Sequence, residues 1–155
     1  MLHTLKTKQL LRSDLNTVWE FMSSPGNLSK ITPSYMGFDI LSDTDDVGKM
    51  HQGQIIEYYV SPVYGIKMHW VTEITHVKTN EYFVDEQRFG PYKFWHHSHF
   101  LKQVEGGVEM TDILHYKLPF GFIGKIANAL FVKKKITEIF NYRYSKLEEL
   151  FNSEK

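Results

Sequence analysis

Between residues 36 and 118 apolar and polar side chains alternate in short blocks separated by turn-forming residues, the period-two signature of strands. The blocks fall at 36–42, 50–60, 66–78, 81–89, 94–105 and 108–118. Their breaks carry turn chemistry: Asp43 to Gly48, Pro62 to Gly65, Thr79-Asn80, Gly90-Pro91 and Gly106-Gly107. Strands joined this way predict an antiparallel meander. Ahead of them, residues 2–11 form one more strand, which ends at Ser13-Asp14. That pair caps a helix implied by Leu15, Val18, Trp19 and Met22. Pro25-Gly26 breaks the helix, and Asn27 to Ile31 form a second short one closed by Thr32-Pro33. After Pro119 and Gly121 the spacing changes. Ile123, Ile126, Ala127, Leu130, Phe131, Ile136, Ile139, Phe140, Leu147, Leu150 and Phe151 recur at helical intervals, which predicts one long amphipathic helix. About thirty residues at the α-helical rise would span roughly 45 Å, enough to cross a sheet face. The pattern is α+β, and its length predicts one domain over residues 1–155.

Tight turns also sort side chains between faces, because partners across a hairpin share a face and neighbours alternate. With Gly106-Gly107 as the loop, Trp95, His97, His99 and Leu101 fall with Leu118, Tyr116, Leu114 and Asp112, and Asp112 stands across from Leu101. With Thr79-Asn80 as the loop, Met68, Trp70, Thr72, Ile74 and His76 fall with Phe83, Asp85, Gln87 and Phe89. Both faces are rich in aromatics yet carry polar groups. A buried polar group left unpaired costs about 1–3 kcal/mol, so such a set implies mutual pairing, pocket water or a ligand with a polar head.

Composition narrows the reading. Eleven Phe, nine Tyr and three Trp make 15% of the chain, a large supply of rigid apolar surface suited to a cavity wall or to a bulky solid core. Eighteen basic residues balance eighteen acidic ones, so no global field draws in nucleic acid. The basic run Lys133 to Lys135 reads as a solvated helix face. The chain has no Cys, which excludes disulfides, thiolate metal sites and cysteine nucleophiles. Residues 1–11 have no continuous apolar stretch, and nowhere do about eighteen apolar residues run together. The expectation is a cytoplasmic protein without stable membrane insertion.

Phe83-Val84-Asp85-Glu86-Gln87, Gly90-Pro91-Tyr92 with Trp95, His97 and His99, then Asp112 and Tyr116, and finally Leu118-Pro119-Phe120-Gly121 together resemble the ligand-binding SRPBCC branch of the helix-grip superfamily. That superfamily includes START lipid-transfer domains, polyketide cyclases and a pollen-allergen branch, and members of the SRPBCC branch are sometimes described as cell-division-inhibitor-like. The resemblance runs nearly end to end. It implies a curved antiparallel sheet of about seven strands wrapped around a long C-terminal helix, two short helices after the first strand, and a cavity for hydrophobic ligands. It implies no fixed catalytic set, since this fold hosts carriers, cyclases, hydrolases and adaptors.

His97 and His99, two apart on one strand face with Asp85 or Asp112 near, are ligand types that zinc uses, but strand spacing alone does not make them converge. No metal and no cofactor are assigned from the sequence. The same His and Asp pairs suit general acid/base work of a cyclase or dehydratase, although no G-x-S-x-G elbow, thiol nucleophile or Gly-rich phosphate loop accompanies them. A carrier needs only an apolar cavity with a few convergent polar groups. The expected ligand-binding set is therefore Trp70, Phe83, Asp85, Gln87, Phe89, Trp95, His97, His99, Asp112 and Tyr116, with a lipid, quinone or polyketide-like partner. A protein-interaction module with a vestigial cavity is the third reading.

Overall fold

A computed structural model describes residues 1–42, 49–61, 65–119, 121, 126 and 131–153. The expected turns at 43–48 and 62–64, Phe120, and the helical positions Ile123, Ala127 and Leu130 lie outside the described residues. Strands β1 (His3–Leu11), β2 (Asp39–Ile40), β3 (Ile55–Val60), β4 (Met68–Lys78), β5 (Tyr82–Phe89), β6 (Phe94–Val104) and β7 (Gly107–Lys117) form one curved, open antiparallel sheet. Its order is β1-β7-β6-β5-β4-β3-β2, so the meander is closed at one end by the first strand, which pairs with the last. Helix α1 (Leu15–Met22) is capped by Asp14, whose carboxylate accepts from the Thr17 backbone N–H at 2.9 Å, as its position ahead of the apolar repeat predicts. The second short helix is a 3₁₀ segment, Pro25–Ile31, and a further 3₁₀ turn at Ser34–Met36 ends on Gly37 in the left-handed region. That turn takes residues assigned from sequence to a strand at 36–42, leaving two residues for β2.

Helix α2 (Lys133–Phe151) lies against the sheet with Ile136, Phe140, Arg143 and Leu147 buried, a stripe spaced 4, 3 and 4 residues apart. Leu147 packs in one core with Val18, Trp19, Met22 and Leu101, and Ile136 and Phe140 pack in another with Leu114 and Tyr116. The far end of the helix is tied to β1: Gln9 Nε2 donates to the Tyr144 carbonyl and to Glu148, and Asn152 Nδ2 donates to the Leu10 carbonyl.

Two hairpins depart from their sequence-derived registers, with opposite consequences. The β6–β7 loop is Glu105-Gly106, and Val104 pairs with Gly107. The register therefore moves by two residues, which preserves every face and places Asp112 across from His99 rather than Leu101. Glycine is required at 107, where φ is +145° and a Cβ would lie 2.1 Å from the Leu11 carbonyl oxygen. In the β4–β5 hairpin the turn takes three residues, Thr79 to Glu81, with Asn80 left-handed at φ 63°. That longer turn sets Val77 opposite Phe83 and leaves His76 exposed, and a bulge between Ile74 and His76 then restores the expected pairing of Ile74 with Asp85. A second irregularity at Arg88 flips the end of β5. Phe89 pairs with Val71, is 60% exposed and rests on the His69 ring on the outer face of the sheet.

Candidate functional site

The inner faces of β3 to β6, helix α1, the 3₁₀ segments and helix α2 line a partly open cavity of about 180 Å³. Most of its wall is apolar, with Met36, Phe38, Ile56, Trp70, Trp95 and Ile139 among the side chains that line it. The aromatic part is rigid. Trp70 packs edge-on against Trp95 at 5.1 Å and stacks near Tyr58, whose hydroxyl shares Thr72 Oγ1 with the Trp70 indole N–H. Burial of the Tyr58 phenol pushes its pKa up, which keeps it a neutral hydrogen-bonding group.

One wall is polar. Asp85 comes from β5, His97 and His99 from β6, and Arg143 from α2, and all four line the cavity. Asp85 Oδ2 lies 2.8 Å from His99 Nε2 and 3.5 Å from His97 Nδ1, and the Trp95 indole donates to Asp85 Oδ1. Behind the two imidazoles, Asp112 Oδ1 of β7 lies 2.7 Å from His99 Nδ1 and 3.2 Å from His97 Nε2. Arg143 Nη2 is 3.3 Å from His99 Nδ1 and 3.6 Å from Asp112 Oδ1. The His97 and His99 rings are 3.8 Å apart, and Phe83 stacks on the free face of His99 at 4.2 Å. Two carboxylates thus hold two imidazoles between them.

Electrostatics separates the two histidines. Burial and the neighbouring His99 push the His97 pKa down, so His97 is the neutral ring. Burial opposes the His99 cation as well, but Asp112 and Asp85 outweigh it and raise the His99 pKa. The Asp112 carboxyl is held well below its ordinary range, against the cost of burial, by the Arg143 guanidinium and the two imidazoles. Asp85 is lowered in the same way by His99 and His97. With His99 protonated, its charge and that of Arg143 balance the two carboxylates.

Six of the ten expected ligand-binding residues line the cavity: Trp70, Phe83, Asp85, Trp95, His97 and His99. Asp112 is 1% exposed and sits beneath the histidines rather than on the wall. Gln87 instead bonds the Tyr92 backbone N–H and carbonyl, and so closes the loop at Gly90-Pro91. Tyr116 is buried against Tyr92 and His3, off the cavity wall. Phe89 faces outward, as the bulge at Arg88 dictates. Among the described lining residues, Arg143 is the charged group that sequence reasoning missed. It was legible: it occupies the position three after Phe140 and four before Leu147, inside the apolar stripe, where a solvated Arg has no reason to be.

No family model matches the sequence, and no curated protein matches it. Solved structures do match over nearly the whole chain. A Chromobacterium violaceum protein is 14% identical, with 97% of this chain and 99% of that one covered at a TM-score of 0.71. A START superfamily protein from Mycobacterium smegmatis is 13% identical, with 97% of each chain covered at 0.69. Ara h 8.0201 is 13% identical, with 96% of this chain and 99% of that one covered at 0.59. Likeness of this extent at such low identity carries the architecture rather than the chemistry, and the architecture is the one assembled above strand by strand: the chain has the helix-grip fold that START-superfamily proteins share.

Proposed function

We propose that residues 1–155 work as one domain that binds a small amphipathic molecule, its apolar body in the cavity and its polar head against Asp85, His97, His99 and Arg143. The observation that carries this reading is the combination of an apolar chamber with charged and imidazole groups gathered on a single wall. A solid core would gain nothing from burying that set, because each member needs partners to offset its desolvation. Size limits the ligand. A cavity of about 180 Å³ is slightly larger than the ~150 Å³ engineered void that accepts benzene, and it is below the ~300 Å³ at which drug-sized pockets begin. A ring-sized body, such as a quinone or one ring of a polyketide-like compound, suits it better than a long acyl chain. A larger guest would seat one ring in the chamber and extend through its open side.

Native mass spectrometry of the purified protein, followed by denaturing extraction, tests this reading by revealing a co-purifying small molecule. An anilinonaphthalene sulfonate titration adds an independent readout: saturable, equimolar enhancement that is lost in Ile139→Trp, which fills the chamber. Non-saturable binding that persists in Ile139→Trp would overturn the proposal.

The divergent pKa values of His97 and His99 favour a second reading, acid/base chemistry on the bound molecule, because neighbouring groups driven apart in this way supply an acid and a base in one site. Turnover of the extracted ligand with a bell-shaped pH profile would separate it from simple carriage.

A further inference from the structure

We propose that Asp85, His97 and His99 form a site for one divalent transition-metal cation of the zinc class, open to the cavity on its remaining side. One ligand atom from each of the three lies within 4.8 Å of the others. Zinc bound at about 2.0–2.2 Å by nitrogen and carboxylate oxygen sets tetrahedral ligands about 3.4 Å apart. Asp85 Oδ2 and His97 Nδ1, at 3.5 Å, already have that spacing. His99 Nε2 is closer to Asp85, at 2.8 Å, and Asp85 has room to adjust because its side chain is 18% exposed at the cavity surface.

Proton counting points the same way. Each imidazole has a carboxylate oxygen near both of its nitrogens, whereas a neutral ring carries only one N–H. The shortfall has a visible trace: His97 Nε2 and Asp112 Oδ1, in side chains more than nine-tenths buried, have no aligned hydrogen-bond partner. A cation on the Asp85 side resolves it. It takes the lone pairs of His97 Nδ1 and His99 Nε2 and places the protons on His97 Nε2 and His99 Nδ1, both of which face Asp112; Arg143 Nη2 then gives up its 3.3 Å contact with His99 Nδ1 and turns to Asp112 Oδ1, now 3.6 Å away. An outer carboxylate on the far nitrogen of a metal-bound His is the arrangement that fixes the tautomer and raises ligand basicity. Three protein ligands with an open position match metal sites that bind a substrate or water. The ion would receive an oxygen or nitrogen of the cavity's guest.

Titration of chelator-treated protein with Co²⁺, read by its visible ligand-field bands, tests the site with the metal alone. The expected result is one equivalent with the spectrum of a four- or five-coordinate ion, displaced by Zn²⁺. His97→Gln, His99→Gln and Asp85→Asn should each weaken binding by more than about 100-fold, and Asp112→Asn by about 10–100-fold. The double variant His96→Ala/His115→Ala, on the outer face, should leave it unchanged. Should a histidine variant fail to fold, Asp85→Asn at the cavity surface decides alone. Wild-type binding no tighter than millimolar, binding indifferent to Asp85→Asn, or loss of the signal in the His96/His115 variant would overturn the proposal. Anilinonaphthalene sulfonate binding by the metal-free protein is a separate readout, so failure of the metal site and failure of the small-molecule reading are distinguishable.

Discussion

Arg143 stands where an apolar residue would complete the stripe of α2, and its neighbour Asp112 is 1% exposed. Removing the guanidinium leaves a buried carboxylate with less than its full set of partners. Arg143→Met should therefore cost about 3–5 kcal/mol, measured as urea unfolding free energy. The double variant Arg143→Met/Asp112→Asn should recover part of that loss, because the amide carries no charge to be left unpaired and its oxygen still accepts from the imidazoles. The same carboxylate sets an acid limb. Since the folded-state pKa of Asp112 is depressed below its ordinary 3.8, the stability it contributes is present above that value and is lost as pH falls through the folded pKa. Unfolding free energy of the metal-free protein followed below pH 5 should drop steeply in the wild type and less steeply in Asp112→Asn. The wild-type and variant slopes would coincide if Asp112 titrated normally.

Strands and turns decide which side chains reach the cavity. Irregularities in the β4–β5 hairpin send Phe89 to the outer face while Asp85, four residues earlier on the same strand, faces in. Phe89→Ser should thus leave probe affinity within about twofold, whereas Trp95→Ala should weaken it by about tenfold or more, both measured by fluorescence titration. At the β6–β7 turn, Gly107→Ala forces a Cβ into the Leu11 carbonyl at a positive φ. A cost of about 1–3 kcal/mol, seen as a drop of several degrees in Tm, is expected even though the residue is far from the cavity. The strands, the two hairpins and the capped first helix were legible in sequence because period-two alternation, turn residues and an N-cap are local signals. The bulges were not. Each inserts one residue into a ladder whose composition is unchanged, and what fixes it is the fit of β4 and β5 to a curved sheet.

At the scale of the molecule, a sheet whose first strand pairs with its last and whose concave face is crossed by α2 leaves a chamber that neither element encloses alone. Among the described residues, no helix is long and apolar enough to cross a membrane. The sequence by itself determined the α+β class, the order of the elements and the inward aromatic face with Asp85, His97 and His99, because these follow from side-chain periodicity along the chain. It also made Arg143 detectable as a charge inside an apolar stripe. Only the tertiary structure decided that two carboxylates from different strands flank both imidazoles, that the helix delivers a guanidinium to the same point, and that Phe89, Gln87 and Tyr116 stand off the cavity wall. Those distances depend on register, bulges and helix docking, which are set by packing between segments far apart in the chain and leave no mark in the local pattern.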